Sequence, residues 1–259
     1  MSFVCRKCTA ALERFVAPCP SCHQWNTLQD PAALTVSGAP FNSLNGNVEP
    51  VAHFSSGIAV WDEALDGGMV LGTSALIGGT PGVGKSTLTL QVAGGYARGG
   101  KRVLYASAEE DGGPLKARAK RVGAEHPNLD LFSTGDLTKA LAAAASYDIA
   151  IYDSIQMYAA STPDFTKPKT RILISQLNGQ GSITGTTKNE HLCDALLFAD
   201  EDLVTSTEAE TFFVLRAAKN RNGATRKARY QLTENGAEYV KTPEPKKRTR
   251  LAIPDGGKK

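Results

Sequence analysis

The run Ser74-Ala-Leu-Ile-Gly-Gly79-Thr80-Pro81-Gly82-Val83-Gly84-Lys85-Ser86-Thr87 decides the reading of this chain. It satisfies G-x-x-x-x-G-K-[ST], follows the apolar residues Ser74 to Ile77, and precedes a helix-compatible segment that begins at Lys85. Strand, glycine-rich turn and helix in that order make a phosphate cradle. The glycines let backbone N–H groups converge on phosphate oxygens at a helix N-terminus; Lys85 is placed to reach the β and γ phosphates and Ser86 to ligate Mg²⁺. Gly79 through Thr87 are thus the expected ATP-binding residues, a reading that the flanking strand and helix favour over a plain glycine-rich turn.

Around this motif, short apolar runs alternate with helical or turn-rich segments. The runs are Ser74 to Ile77, Arg102 to Ser107, Leu129 to Phe132, Asp148 to Asp153, Arg171 to Gln176, Ala195 to Ala199, Thr211 to Ala217 and Arg229 to Thr233. Buried strands separated by helices predict an α/β domain over residues 51–241, a mostly parallel sheet flanked by helices with an antiparallel β edge at its end. Asp153 closes its run, where a carboxylate can hold Mg²⁺ from a neighbouring strand. The run ending Ala-Ser-Ala-Glu109-Glu110 delivers two carboxylates to the same edge, and Glu109 is the expected general base for the attacking water. Solvation of a loop, or capping of the helix that Asp111 begins, is the other reading of that pair.

The whole chain has 259 residues, with 29 Lys+Arg against 26 Asp+Glu and 41% hydrophobic content. That excludes a wholly disordered or collagenous chain and makes the +3 balance uninformative unless the charge is concentrated. No run approaches the length of a membrane span, and Arg6, Lys7, Glu13 and Arg14 stand where a signal peptide would be apolar, so a soluble cytoplasmic protein is expected. Residues 1–28 hold Cys5-x-x-Cys8 and Cys19-x-x-Cys22, the spacing of a closed four-sulfur zinc ribbon; a redox dithiol or an iron–sulfur centre lacks its usual context here. His23 adjoins Cys22 and reads as solvated. Turn formers over 29–50 predict a linker, and 242–259 a basic flexible tail. Six basic residues and no acidic one lie between 216 and 229, a concentration suited to phosphates of DNA or of a neighbour's ATP, or else to a solvated turn.

In order along the chain, these motifs resemble the bacterial RadA (Sms) recombination ATPases from Phe3 to about Gly236. The ribbon ending Cys-Pro-Ser-Cys-His-Gln-Trp25, the segment Ser56 to Gly68, Leu104 to Glu110, Asp153-Ser-Ile-Gln156, Glu190 to Asp194 and Lys219-Asn-Arg221-Asn-Gly223 are each similar to a family motif. The resemblance implies a RecA-like P-loop ATPase core, with ATP, Mg²⁺ and Zn²⁺ as cofactors. It also implies a homo-oligomeric ring on single-stranded or branched DNA, without sequence specificity, and recombinase or replication proteins as partners. By that implication Lys219 and Arg221 reach a neighbour's γ phosphate, and Gln176 senses the γ phosphate ahead of a DNA-facing loop over 177–189. The sequence departs from the family in three ways. Asn222 stands where the motif has phenylalanine, 154–171 carries Pro163 and Pro168 where a long helix is expected, and the family's C-terminal Lon-protease-like domain has no room. These departures set an ATP-gated DNA-binding or regulatory module beside the motor reading. A signalling kinase related to circadian-clock ATPases shares the core, without a zinc ribbon.

Overall fold

Uninterrupted aliphatic runs such as Ala75-Leu-Ile77 and Ile149-Ala-Ile-Tyr152 suit strands covered on both faces, because no residue in them tolerates water. A computed structural model describes residues 3–5, 7–13, 16, 18–24, 28–29, 51–158, 170–178, 183 and 187–241. Trp25, the linker beyond residue 29, Pro163, Pro168 and the basic tail over 242–259 lie outside the described residues. The chain divides into two units, Met1–Pro50 and Val51–Lys259.

The first unit contains β1 (Phe3–Cys5), β2 (Ala11–Leu12) and β3 (Leu28–Gln29), an antiparallel sheet in the order β2-β1-β3. The second runs β4 (His53–Phe54), α1 (Ala59–Ala64), β5 (Met69–Val70), β6 (Ser74–Gly79), α2 (Lys85–Arg98), β7 (Val103–Ser107), α3 (Gly112–Arg121), β8 (Leu129–Ser133), α4 (Leu137–Ala143) and β9 (Ile149–Asp153). It continues through β10 (Thr170–Ile174), α5 (Thr187–Leu192), β11 (Ala195–Glu201), β12 (Phe213–Asn220), β13 (Lys227–Thr233) and β14 (Gly236–Val240). Its main sheet has the order β14-β13-β12-β11-β6-β10-β9-β7-β8. From β11 to β8 every neighbouring pair is parallel, while β12, β13 and β14 close the other side antiparallel. This is the RecA-like α/β architecture expected of the sequence.

Burial follows that division. Every residue of β7, β9 and β10 is buried, whereas β11 alternates and so covers only one face. One apolar cluster joins Ile77, Tyr105, Ile151 and Leu215 to Trp61, Leu88 and Tyr96 of α1 and α2; a second joins Leu76, Leu104, Tyr152 and Leu173 to Leu137 and Ala140 of α4. Trp61 Nε1 donates to Tyr96 Oη at 3.0 Å, which satisfies both buried polar groups of that pair. Gly95 lets α2 lie directly on the preceding segment, since a Cβ there would stand 2.0 Å from the Ser56 carbonyl oxygen.

Two expectations shift. β10 ends at Ile174, two residues before Gln176, and β14 forms a strand that the apolar pattern did not reveal, because Gly236-Ala-Glu-Tyr-Val240 has neither an apolar run nor a clean alternation and leaves Glu238 and Tyr239 exposed. After β9 the described residues form a 3₁₀ turn, Ile155–Met157, and no long helix.

Candidate functional site

The sheet order converts distant sequence into one edge. β10 sits between β6 and β9, and β7 lies next, so the carboxyl ends of four adjacent strands deliver the glycine-rich loop, Gln176, Asp153 and Glu109 together. They surround a cavity of about 320 Å³ whose lining includes Pro81, Gly82, Gly84, Lys85, Ser86, Thr87, Glu109, Asp153 and Gln176.

The loop conformation depends on glycine. Gly82 and Gly84 have φ of 89° and 82°, and a Cβ on Gly84 would stand 2.5 Å from a Leu232 methyl group. Tyr230 Oη on β13 donates to the Val83 carbonyl at 2.7 Å and fixes the loop from the side. Lys85 Nζ is drawn back into the loop, donating to the carbonyls of Gly79 at 2.8 Å and Thr80 at 2.9 Å. Burial pulls its ammonium below the ordinary lysine value, against the attraction of the Asp153 and Glu109 carboxylates. An anion in the cavity would restore what burial removes.

Asp153 is 4% exposed. Its Oδ2 accepts from Tyr105 Oη at 2.7 Å, while Oδ1 is buried without a hydrogen-bond partner among the described residues. An orphaned carboxylate oxygen beside the Ser86 hydroxyl fits a hard divalent cation such as Mg²⁺. Burial pushes the Asp153 carboxyl above its usual value and the Glu109 charge adds to that, although the Tyr105 and Ser86 hydroxyls pull it down. A carboxyl raised in this way destabilises the fold while ionised; the cost is present above the folded value and vanishes as pH falls below the unfolded one, near 3.8. Asp153→Asn is therefore expected to raise the thermal midpoint of the nucleotide-free protein at pH 7, by roughly 2–4 °C for each kcal/mol relieved. The same variant should lose any magnesium-dependent gain. An unchanged or lower midpoint without magnesium would contradict the cost assigned to this oxygen.

Glu109 follows β7 by two residues and is oriented from both sides. Ser107 Oγ accepts from the backbone N–H groups of Glu109 at 3.3 Å and Glu110 at 3.0 Å, and Ser154 Oγ donates to Glu109 Oε1. The two glutamates part company: Glu109 faces the cavity, whereas Glu110 pairs with Arg118 of α3. Neither is a free loop residue. Gln176 donates its backbone N–H to Gln156 Oε1 at 3.3 Å and lines the cavity.

Sequence reasoning missed Arg118, Ser154, Tyr105 and Gln156. Ser154 and Gln156 sit in the quoted Asp153-Ser-Ile-Gln run and were legible as neighbours of Asp153. Arg118 and Tyr105 carry no local signal, because their role depends on which strands become adjacent.

Lys219 and Arg221 lie at the opposite edge. Asn220 pairs with Ala195 at the start of β11, so this turn stands one strand length, roughly 20 Å, from the glycine-rich loop of its own chain. Lys219 Nζ donates to the carbonyls of Glu190, His191 and Cys193 at 3.1, 3.2 and 2.6 Å, and Arg221 contacts Asp194 Oδ1 at 3.4 Å. The basic cluster is also partly spent internally: Arg226 pairs with Asp66, and Arg229 with Asp202. The charge that the sequence concentrates over 216–229 is therefore only in part available to phosphates.

In the first unit the four sulfurs of Cys5, Cys8, Cys19 and Cys22 lie within 4.8 Å of one another. Each half repeats the other: the N–H groups of Thr9 and His23 donate to the carbonyls of Cys5 and Cys19, and Thr9 and His23 adopt φ of 60° and 57°. His23 thus serves the turn while the four thiols form the cluster. Four sulfurs around zinc at ~2.3 Å stand ~3.8 Å apart, and the observed Cys5–Cys22 and Cys8–Cys19 separations are 3.6 and 3.8 Å. The cluster fits a tetrahedral zinc ion. We expect one equivalent of zinc per chain by elemental analysis and its loss in Cys19→Ser, since binding to such a site contributes on the order of 10–16 kcal/mol. A Cys19→Ser protein that keeps a full equivalent would remove the assignment.

The fold and this cavity define a P-loop ATPase of the RecA-like class. A family model described as an AAA domain matches residues 47–173. Among solved structures, a KaiC-like protein from Pyrococcus horikoshii superposes with a TM-score of 0.60, covering 74% of this chain and 100% of its own at 19% identity. The flagellar accessory protein FlaH of Methanocaldococcus jannaschii gives 0.58, covering 70% of this chain and 95% of its own at 15% identity. At such identities the likeness shows the fold alone. Within that class, the chain is a relative of the RadA family. It is 31% identical to the DNA repair protein RadA of Mycolicibacterium smegmatis over 92% of this chain and 59% of that protein. With the Aquifex aeolicus protein it shares 31% identity over 94% of this chain and 60% of that one, and with the Bacillus subtilis protein 29% over 93% and 60%. The chain thus spans about 60% of the length of these relatives. No helix among the described residues is long and apolar enough to cross a membrane.

Proposed function

We propose that this chain is a DNA-stimulated ATPase of recombination and repair that assembles as a ring and moves on single-stranded or branched DNA. The observation that carries the reading is the convergence of Lys85, Ser86, Asp153, Glu109 and Gln176 on one cavity at the carboxyl edge of four adjacent strands. Backbone N–H groups of the glycine-rich loop and Lys85 would hold the phosphates; Ser86 and Asp153 would hold magnesium, which when bound neutralises charge between the phosphate oxygens. Glu109, oriented by Ser107 and Ser154, accepts the proton of the attacking water as the new oxygen–phosphorus bond forms and the bridging bond to the β phosphate breaks. Lys219 and Arg221 are too far from this cavity to act within their own chain, which supports their acting on the nucleotide of a neighbour. The RadA relatives supply the DNA repair context, and zinc in the first unit completes the cofactor set.

The second reading, an ATP-gated DNA-binding module with little turnover, is favoured by the three carbonyls that hold Lys219 Nζ within its own chain. Steady-state ATP hydrolysis with and without single-stranded DNA, together with strand displacement on a forked duplex, separates the two. DNA-stimulated turnover with displacement supports the motor. ATP-dependent DNA binding without turnover supports the module and ends the motor reading.

A further inference from the structure

We propose that Gln156 is a positioning residue for ATP hydrolysis: its side-chain amide stands in for a main-chain acceptor and so holds Gln176 against the cavity that Gln176 lines. The strand ladder shows which acceptor is replaced. N–H groups along β10 alternate in direction, and those of Arg171, Ser175 and Leu177 donate toward β6, to the carbonyls of Thr73, Ile77 and Gly79 at 3.0, 2.9 and 3.4 Å. Gln176 N–H therefore faces β9. The Asp153 carbonyl points the other way, accepting from Ala108 N–H at 2.6 Å on the β7 side, so the next carbonyl on the β10 side belongs to Ser154. That carbonyl has left the ladder, because it accepts from Met157 N–H at 3.1 Å within the 3₁₀ turn. Gln156 Oε1 takes its place at 3.3 Å.

Only the oxygen of this amide is used. A main-chain N–H bonds only to an acceptor, which fixes Oε1 toward Gln176, and Nε2 is then buried without a hydrogen-bond partner among the described residues. A buried donor left unpaired lowers stability, so the fold by itself gains little from a glutamine here. What the site gains is a joint. On one side Leu177 N–H shares the Gly79 carbonyl with Lys85 Nζ; on the other, Gln156 follows Asp153 by three residues, in the segment whose Ser154 bonds Glu109. Gln176 is thereby suspended between the loop that would take the phosphates and the turn that would take magnesium. One short segment, 153–156, sets Asp153, Glu109 and Gln176 in a common geometry.

This inference rests on the ATPase reading above and adds a residue to it. Gln156→Met keeps the length and burial of the side chain and removes both polar atoms. Steady-state ATP turnover, binding of ADP with Mg²⁺ and the thermal midpoint are compared for wild type, Gln156→Met, Gln176→Ala and the double variant. Gln156→Met is expected to lower kcat by about 10-fold or more while affinity for ADP, which has no terminal phosphate, stays within ~3-fold. Gln176→Ala keeps the main-chain bond, loses the side chain, and is expected to be at least as slow. The double variant is expected to match Gln176→Ala within ~2-fold, since a residue that acts only through Gln176 has nothing further to lose. Losses that multiply in the double variant overturn the proposal, as does Gln156→Met turnover within ~2-fold of wild type. A Gln156→Met protein whose ADP affinity and midpoint fall along with turnover shows a residue that only supports the fold, and also overturns it. Absence of turnover in the wild type removes the ATPase reading itself, a result that none of the variants can produce.

Discussion

Lys85→Ala is expected to cut ATP turnover by about 10²- to 10³-fold while the protein stays folded. The reason lies in what surrounds the ammonium. Lys85 is 8% exposed, held by the carbonyls of Gly79 and Thr80, and its charge is disfavoured by burial. In the nucleotide-free protein the side chain is therefore a cost to stability, offset by two hydrogen bonds. With β and γ phosphates in the cavity the ammonium is proposed to stand beside the developing charge, and one such electrostatic contact is worth roughly 3–4 kcal/mol in a desolvated site. Alanine removes that contact and leaves two carbonyls to find water. The measurement is steady-state hydrolysis alongside a thermal melt without nucleotide. A folded Lys85→Ala protein that keeps turnover within ~10-fold of wild type removes the cavity as the active site.

Arg221→Ala is expected to leave nucleotide affinity within a few-fold of wild type and to cut turnover by about 10³-fold or more, the range of an arginine supplied across an interface. The placement of the residue accounts for the spared binding, and the proposed role across an interface for the lost turnover. Arg221 stands at the far edge of the sheet from its own glycine-rich loop, held by Asp194 and the His191 carbonyl, so its loss cannot disturb binding in the same chain. Mixing separates a role in trans from a structural one. Lys85→Ala and Arg221→Ala chains, each inactive alone, are expected to regain activity together, because a mixed assembly contains interfaces with an intact Lys85 on one side and an intact Arg221 on the other. If the mixture stays inactive although it co-assembles, Arg221 supports its own fold and not a neighbour's site.

Much of this was legible before any coordinate. The loop from Gly79 to Thr87, the strand-ending Asp153 and the paired cysteines are each written within a few residues, and local chemistry suffices to read them. Gln156 and Ser154 were adjacent to a recognised residue. Arg118 was not legible, since nothing in Lys116-Ala-Arg118-Ala states that α3 will pass beside the cavity and pair with Glu110. The basic stretch was over-read for a similar reason: Asp66 and Asp202, which take Arg226 and Arg229, are 160 and 27 residues away in sequence.

The sequence by itself determined that this chain carries a phosphate cradle and a four-thiol cluster, because both are set by spacings shorter than one helix and need no distant partner. Only the tertiary structure decided which residues share the cavity. The insertion of β10 between β6 and β9 brings Gln176, Asp153 and Glu109 to Lys85, and the antiparallel return of β12 carries Lys219 and Arg221 to the other edge. Those placements follow from strand pairing over long separations, where register is chosen by the summed burial of whole faces and not by any short motif.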